Sequence, residues 1–145
     1  MTTEPKLQPT DLQEGKELPP LTKDITQEDI NLYAEASLDF NPIHIDPDFA
    51  RNTPLGGTIA HGMLVLGYLS HMMTLDFGKD WLNSGYLNLR FKTPARPGDT
   101  LTLGGRVRKL ERTGRQMAVK CDVFCRNQQG ETIISGDATV KREEP

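Results

Sequence analysis

Two periodicities divide the chain. From Thr26 onward apolar positions first recur at helical spacing: Ile30, Tyr33, Ala34 and Ser37 share one face. Thr26 can cap that helix, with Asp29 three residues on and acidic residues at the positive end of the dipole. The helix should stop before Asn41-Pro42, because a residue preceding proline is pushed out of the α region. Asp39 to Asp46 is then a loop or extended piece, and Pro47 to Arg51 one further helical turn. Pro54 with Gly56-Gly57 marks an irregular link. From about Ile59 to Phe77 the pattern is helical and apolar nearly all round, the mark of a buried helix.

After Gly78 the period changes to two. Leu87, Leu89 and Phe91 alternate with Asn88, Arg90 and Lys92. Leu101, Leu103, Gly105 and Val107 form one face of a second strand, and Met117, Val119, Cys121, Val123 and Cys125 one face of a third. Ile134, Gly136, Ala138 and Val140 do the same in a fourth. Pro97-Gly98-Asp99, Thr113-Gly114 and Asn127 to Gly130 read as turns. Short links make consecutive strands antiparallel. The expectation is a single α+β domain over residues 1–145: helices first, then a three- or four-stranded meander curled round the apolar helix, which is the hot-dog arrangement. Met1 to Pro9 reads as a flexible tail, and Leu12 to Ile25, with Pro19-Pro20, as at best an irregular edge strand.

The segment between the helices carries the chemistry. Asp39-Phe40-Asn41-Pro42-Ile43-His44 sets a carboxylate and an imidazole five residues apart, and His61-Gly62-Met63 opens the apolar helix. An acid, a base and a helix N-terminus are the parts needed to add or remove water beside a carbonyl. Each part also has a structural reading. Asp39 and Asn41 can turn the chain through side-chain-to-backbone bonds, and a lone His44 is more often structural. Gly62 can be a packing glycine or an oxyanion donor, and His61 a cap or a supporting group. Ser70 can bond its own helix or face the same pocket. His44-Ile45-Asp46 could be half a metal site, but only two other histidines exist, so metal is not expected.

Charge and composition narrow the field. A net charge of −3 with no Lys/Arg block argues against a nucleic-acid grip, and 6% aromatic residues give no stacking platform. Arg51, Arg90, Lys92 and Arg96 are where a phosphate-bearing ligand would be sought, although any one of them alone reads as solvated surface. Met1 to Thr22 has no apolar core of a signal peptide, and Gly62 to Ser70 is too short to span a bilayer, so a cytoplasmic protein is expected. Cys121 and Cys125 on one strand would sit about 13 Å apart. That is beyond the roughly 7 Å a disulfide allows, so both should be reduced core thiols.

Asp39-x-Asn41-Pro42-x-His44 followed by His61-Gly62-Met63 resembles the MaoC-like hydratases and dehydratases, specifically the (R)-specific enoyl-CoA hydratases. The stretch Arg90-Phe91-Lys92-x-Pro94-x-Arg96-Pro97-Gly98-Asp99 is similar to that family's strand-and-turn pattern. The resemblance implies a dimeric hot-dog protein acting on an acyl-CoA or acyl-carrier-protein thioester, without cofactor. Asp39 and His44 would be the catalytic dyad, Gly62 the oxyanion donor and Ser70 a supporting hydroxyl. With one hot-dog unit in the chain, a deep pocket would need a second copy. Leu38 departs from the pattern, since many members carry glycine before the aspartate. A hot-dog thioesterase and a non-catalytic partner subunit are the alternatives.

Overall fold

A computed structural model describes residues 4–143. After a 3-10 turn at Pro9–Asp11 come β1 (Leu21–Asp24), α1 (Gln27–Ser37), α2 (Pro42–Ile45), α3 (Pro47–Arg51), α4 (Gly62–Phe77) and α5 (Lys79–Ser84). Four strands follow: β2 (Tyr86–Phe91), β3 (Thr100–Thr113), β4 (Gln116–Arg126) and β5 (Thr132–Glu143). All strand pairs are antiparallel, in the order β1-β3-β4-β5-β2. One face of the sheet closes on α4: Val65, Leu69, Met72, Met73 and Phe77 join Leu103, Val107, Val119, Cys121, Ile134 and Val140 in a single core. This is the hot-dog fold.

The alternating pattern holds on the long strands. Met117, Val119, Cys121, Val123 and Cys125 are all buried, and Leu101, Leu103, Ile134, Ala138 and Val140 with them. Both cysteines are free, and burial pushes each thiol up to about 12. Thr26 and Asp29 form the expected reciprocal cap of α1, and β1 is an edge strand.

Several expectations are corrected. Strand order does not follow chain order: β2 crosses to the far edge and pairs with β5, not with β3. Gly136 permits this, because a Cβ there would run into the Asn88 carbonyl of β2. With β1 at the other edge the sheet has five strands, the four that follow Gly78 and the edge strand that precedes α1. A short helix, α5, precedes β2, and its Trp81 is buried in the core. Pro42–Ile45 is one helical turn, not loop or extended chain. Pro42 restricts the residue before it but is itself preset for the first helical position. α4 begins at Gly62 rather than Ile59, because Ile59 and Ala60 are held in backbone bonds to Ile43 and Ala95. Nor is α4 buried all round: Met63 is 57% exposed and Gly67 has open space beside it.

The N-terminal segment is also not loose where it is described. The backbone N–H groups of Lys6 and Leu7 donate to Leu75 and Asp76 carbonyls at the end of α4, and Leu7 is buried. Those carbonyls would otherwise be unpaired at a helix C-terminus. Residues 1–3 of the expected tail lie outside the described residues.

Asp76 sits in this last turn, fully buried, and neither carboxylate oxygen has a hydrogen-bond partner among the described residues. Burial raises its pKa from 3.8 to about 7, with Lys6 drawing it back. The folded state therefore holds a proton between about pH 4 and 7 that the unfolded chain has lost, and stability falls as pH rises through that window. The loss is on the order of 4 kcal/mol once Asp76 is ionised. Asp76→Asn removes the titration. In denaturant melts the variant should gain several kcal/mol on the wild type between pH 4.5 and 8.5; equal pH slopes in the two proteins would overturn this account.

Candidate active site

The site is assembled from α2, the link that leads into α4, and the last residues of α1. Asn41 caps α2 by accepting from the Ile43 N–H, and its own N–H donates to Asp39 Oδ1. Side chains thus fold Asp39 to His44 into a tight corner, as Asx residues before proline do. Gln27 of α1 clamps the corner from outside: its amide donates to the His44 carbonyl at 2.8 Å and its oxygen accepts from Thr58 Oγ1 at 2.6 Å.

Two histidine rings meet inside that corner. His44 and His61 stack with centroids 3.8 Å apart and planes 24° from parallel, and Tyr33 tilts against His61 at 4.8 Å. Each ring has one nitrogen on a backbone carbonyl. His44 Nδ1 donates to the Ile59 carbonyl at 2.8 Å, and His61 Nε2 donates to the Asp39 carbonyl at 3.0 Å. A carbonyl only accepts, so these bonds fix the tautomers of the neutral rings. His44 is left with a lone pair on Nε2. His61, buried to 2% exposure, keeps a lone pair on Nδ1 that has no partner among the described residues.

Asp39, His44 and His61 each bring a possible ligand atom within 4.8 Å of the others. Rings stacked 3.8 Å apart keep their in-plane lone pairs in separate, nearly parallel planes, which is poor geometry for two imidazoles to share one ion at a Zn–N distance of about 2 Å. A water suits the exposed Asp39 and half-buried His44 better. Two groups joined by one water at ~2.8 Å on each side stand roughly 4.5 Å apart.

Gly62 follows directly. It is the first residue of a 16-residue helix, and its N-cap, His61, supplies no side-chain hydrogen bond to the helix end. The N–H groups there point outward with the positive end of the dipole. Gly62 lines a cavity of about 300 Å³ with Ile59, Val65, Phe91, Lys92 and Ile133. The Phe91 ring lies so close that a Cβ on Gly62 would meet it at 2.9 Å.

Asp39, His44, Asn41, His61 and Gly62 are therefore brought together. Ser70 is engaged elsewhere: its Oγ accepts from the Trp81 indole at 2.9 Å, and its carbonyl from Thr74. That indole comes from α5, which the sequence pattern hid. Of the four cations, Lys92 lines the cavity, while exposed Arg51 on α3 is ion-paired with Asp48 at 3.3 Å. Arg90 lies exposed on β2, and Arg96 reaches toward Gly57. Sequence reasoning missed the helix clamp of Gln27 and the ring contact of Tyr33; the latter's helical spacing marked it only as core.

The family profile described as MaoC like domain matches residues 11–124, and the chain belongs to that family. It is 36% identical over 135 residues to an (R)-specific enoyl-CoA hydratase of Rhodospirillum rubrum, covering 90% of this chain and 88% of that one. A 3-hydroxybutyryl-CoA dehydratase of Methylorubrum extorquens is 32% identical over 83% of this chain and 75% of its own length. Among solved structures, the unliganded R-hydratase PhaJ1 from Pseudomonas aeruginosa superposes with a TM-score of 0.80 at 28% identity, covering 94% of this chain and 85% of that one.

Leu38 is the one non-glycine residue with positive φ among the described residues, at φ 61° and ψ 24°, where it ends α1. A left-handed conformation costs an L-residue about 1–2 kcal/mol, and glycine pays nothing for it. The departure from glycine before the aspartate thus keeps the backbone turn and adds strain to it. With the side chain 78% exposed, little packing is at stake. Leu38→Gly should raise the unfolding free energy by roughly 0.5–1 kcal/mol, after the extra freedom of glycine in the unfolded chain is deducted. A fall in stability would show instead that the leucine side chain holds the corner.

Proposed function

We propose that this protein catalyses reversible hydration of a trans-2-enoyl thioester to an (R)-3-hydroxyacyl thioester. The observation that carries the reading is the hydrogen bond of His44: Nδ1–H is spent on the Ile59 carbonyl, so in the neutral ring the lone pair is on Nε2, and His44 and Asp39 each bring a ligand atom within 4.8 Å of the other. The names of the (R)-specific enoyl-CoA hydratase and 3-hydroxybutyryl-CoA dehydratase relatives support the same chemistry.

In this reading one water gives a hydrogen bond to the Asp39 carboxylate and another to His44 Nε2, so its oxygen lone pair faces C3 of the substrate. As the C3–O bond forms, one O–H bond breaks and the proton passes to the dyad. The π electrons move onto the thioester, whose oxygen gains enolate character and takes the Gly62 N–H. A proton from the dyad then completes the C2–H bond on the same face. Water is added whole and nothing is oxidised or reduced, so no cofactor is required.

The thioester handle is coenzyme A or an acyl-carrier protein, with Lys92 at the cavity, exposed Arg51 and Arg90, and half-buried Arg96 as candidate phosphate contacts. The uncovered stripe of α4 at Met63 and Gly67 supports a homodimer. No helix among the described residues is long and apolar enough to cross a membrane, and a cytoplasmic location is part of the proposal.

The deciding experiment adds purified protein to crotonyl-CoA and follows the conjugated-thioester absorbance and free thiol together. Loss of conjugation without thiol is expected. Thiol release would make the protein a thioesterase, and a silent protein on a panel of longer and branched acyl thioesters would make it a partner subunit. General acid–base help is worth ~10²–10⁴. Asp39→Asn and His44→Asn should each lower kcat by that order while leaving the melting temperature within a few degrees. Near-full activity of the double variant would sink the mechanism.

A further inference from the structure

The hydration reading gives His61 no chemical step, yet its ring is the most constrained in the site. It is buried to 2% exposure, stacked on His44 at 3.8 Å, touched by Tyr33 at 4.8 Å and bonded through Nε2 to the Asp39 carbonyl. We propose that His61 is the positioning residue of the dyad: one ring fixes the backbone of Asp39 by its N–H and the plane of His44 by its face. The proposal rests on the hydration reading above.

The unpartnered Nδ1 of His61 argues for this role. Buried polar atoms are nearly always paired, and an apolar ring would fill the same space without leaving a lone pair stranded. Nothing about core packing therefore asks for histidine here. What a phenylalanine could not supply is the donor to the Asp39 carbonyl. That bond spans 22 residues and ties the corner holding the acid to the residue that caps α4. The same residue thereby sets Asp39, His44 and the Gly62 N–H in one frame. His44 needs this support because α2 is a single turn, and one turn carries no intrinsic helical stability.

Two variants separate the components. His61→Phe keeps a ring against His44 and Tyr33 and loses the donor. His61→Gln places an amide nitrogen close to where Nε2 stood and keeps the donor without the ring. A small misplacement of catalytic groups costs rate more than binding. His61→Phe should therefore lose roughly 10–100-fold in kcat on crotonyl-CoA with KM within about threefold. His61→Gln should recover a substantial part of that loss. Circular dichroism and melting curves accompany both. Where His61→Phe fails to fold, the wild type decides through nitrogen-15 imidazole spectra at pH 8, with the His61 signal assigned from its absence in His61→Gln. An Nε2–H tautomer is expected, and an Nδ1–H tautomer overturns the proposal. So does a folded His61→Phe with wild-type kcat, or a loss carried by KM alone. Wild-type turnover is measured in the same run: if it is absent, the hydration reading fails, and if it is present beside an unimpaired His61→Phe, only the role of His61 fails.

Discussion

Everything at the site hangs on where α4 is pinned. Its buried stripe, Val65 to Phe77, is locked into the concave face of the sheet, and a fully buried leucine or phenylalanine contributes ~1.5–3 kcal/mol to keeping it there. The helix therefore cannot slide or rotate without opening the core. With the helix fixed, its N-terminus is fixed too, and Gly62 stands at a set point beside Ile59 and His61. Those two residues are also the anchors of the dyad. Ile59 gives its carbonyl to His44, and His61 reaches back to the Asp39 carbonyl. The acid and base sit on short pieces of chain, Asp39 exposed and His44 half-buried against the His61 ring. They borrow rigidity from the helix that the sheet holds.

Much of this was legible in the sequence, and the reasons differ by element. The strands β3 to β5 are long and half-buried, so period two was written plainly from Leu101 to Val140. The motif residues Asp39, Asn41, His44, His61 and Gly62 were legible because each type has a narrow range of chemical uses and the spacing excluded one continuous helix. What remained hidden was whatever depends on contacts distant in sequence. The placement of β2 beside β5 follows from a long crossover and from the missing side chain at Gly136, and neither leaves a periodic trace. α5 is six residues long, too short for a helical repeat to register, and its Trp81 captured the hydroxyl of Ser70. The N-terminal strap was hidden for another reason. Proline-rich polar chain usually is loose, but here its N–H groups satisfy the carbonyls at the end of α4.

The same dependence explains where the chain tolerates unfavourable local structure. Leu38 in a left-handed turn, the stranded Nδ1 of His61 and the unpaired carboxyl of Asp76 each cost stability. Two of the three lie within the corner around Asp39, and the third lies at the opposite end of α4. Near the dyad, strain has a local use. A left-handed residue directly before Asp39 reverses the chain so that the carboxylate faces His44 instead of continuing along α1, and local strain of this kind clusters at functional sites. At the far end no such use is visible, and Asp76 instead couples the docking of the helix to protonation.

The two ends of α4 therefore play opposite electrostatic parts. At Gly62 the helix offers unpaired N–H groups and partial positive charge to a space open enough to admit a ligand, so developing negative charge is welcome there. At Asp76 the carbonyl end carries partial negative charge, is sealed by the strap, and holds a carboxyl whose burial favours the neutral form. An anion is favoured at one terminus and rejected at the other by the same dipole. A thioester oxygen that gains charge during reaction is stabilised only at the first. In the proposed hydration that polarity, more than the shape of the cavity, sets the direction of the site: the substrate carbonyl would lie toward the helix end, and the carbon that receives water toward His44 and Asp39.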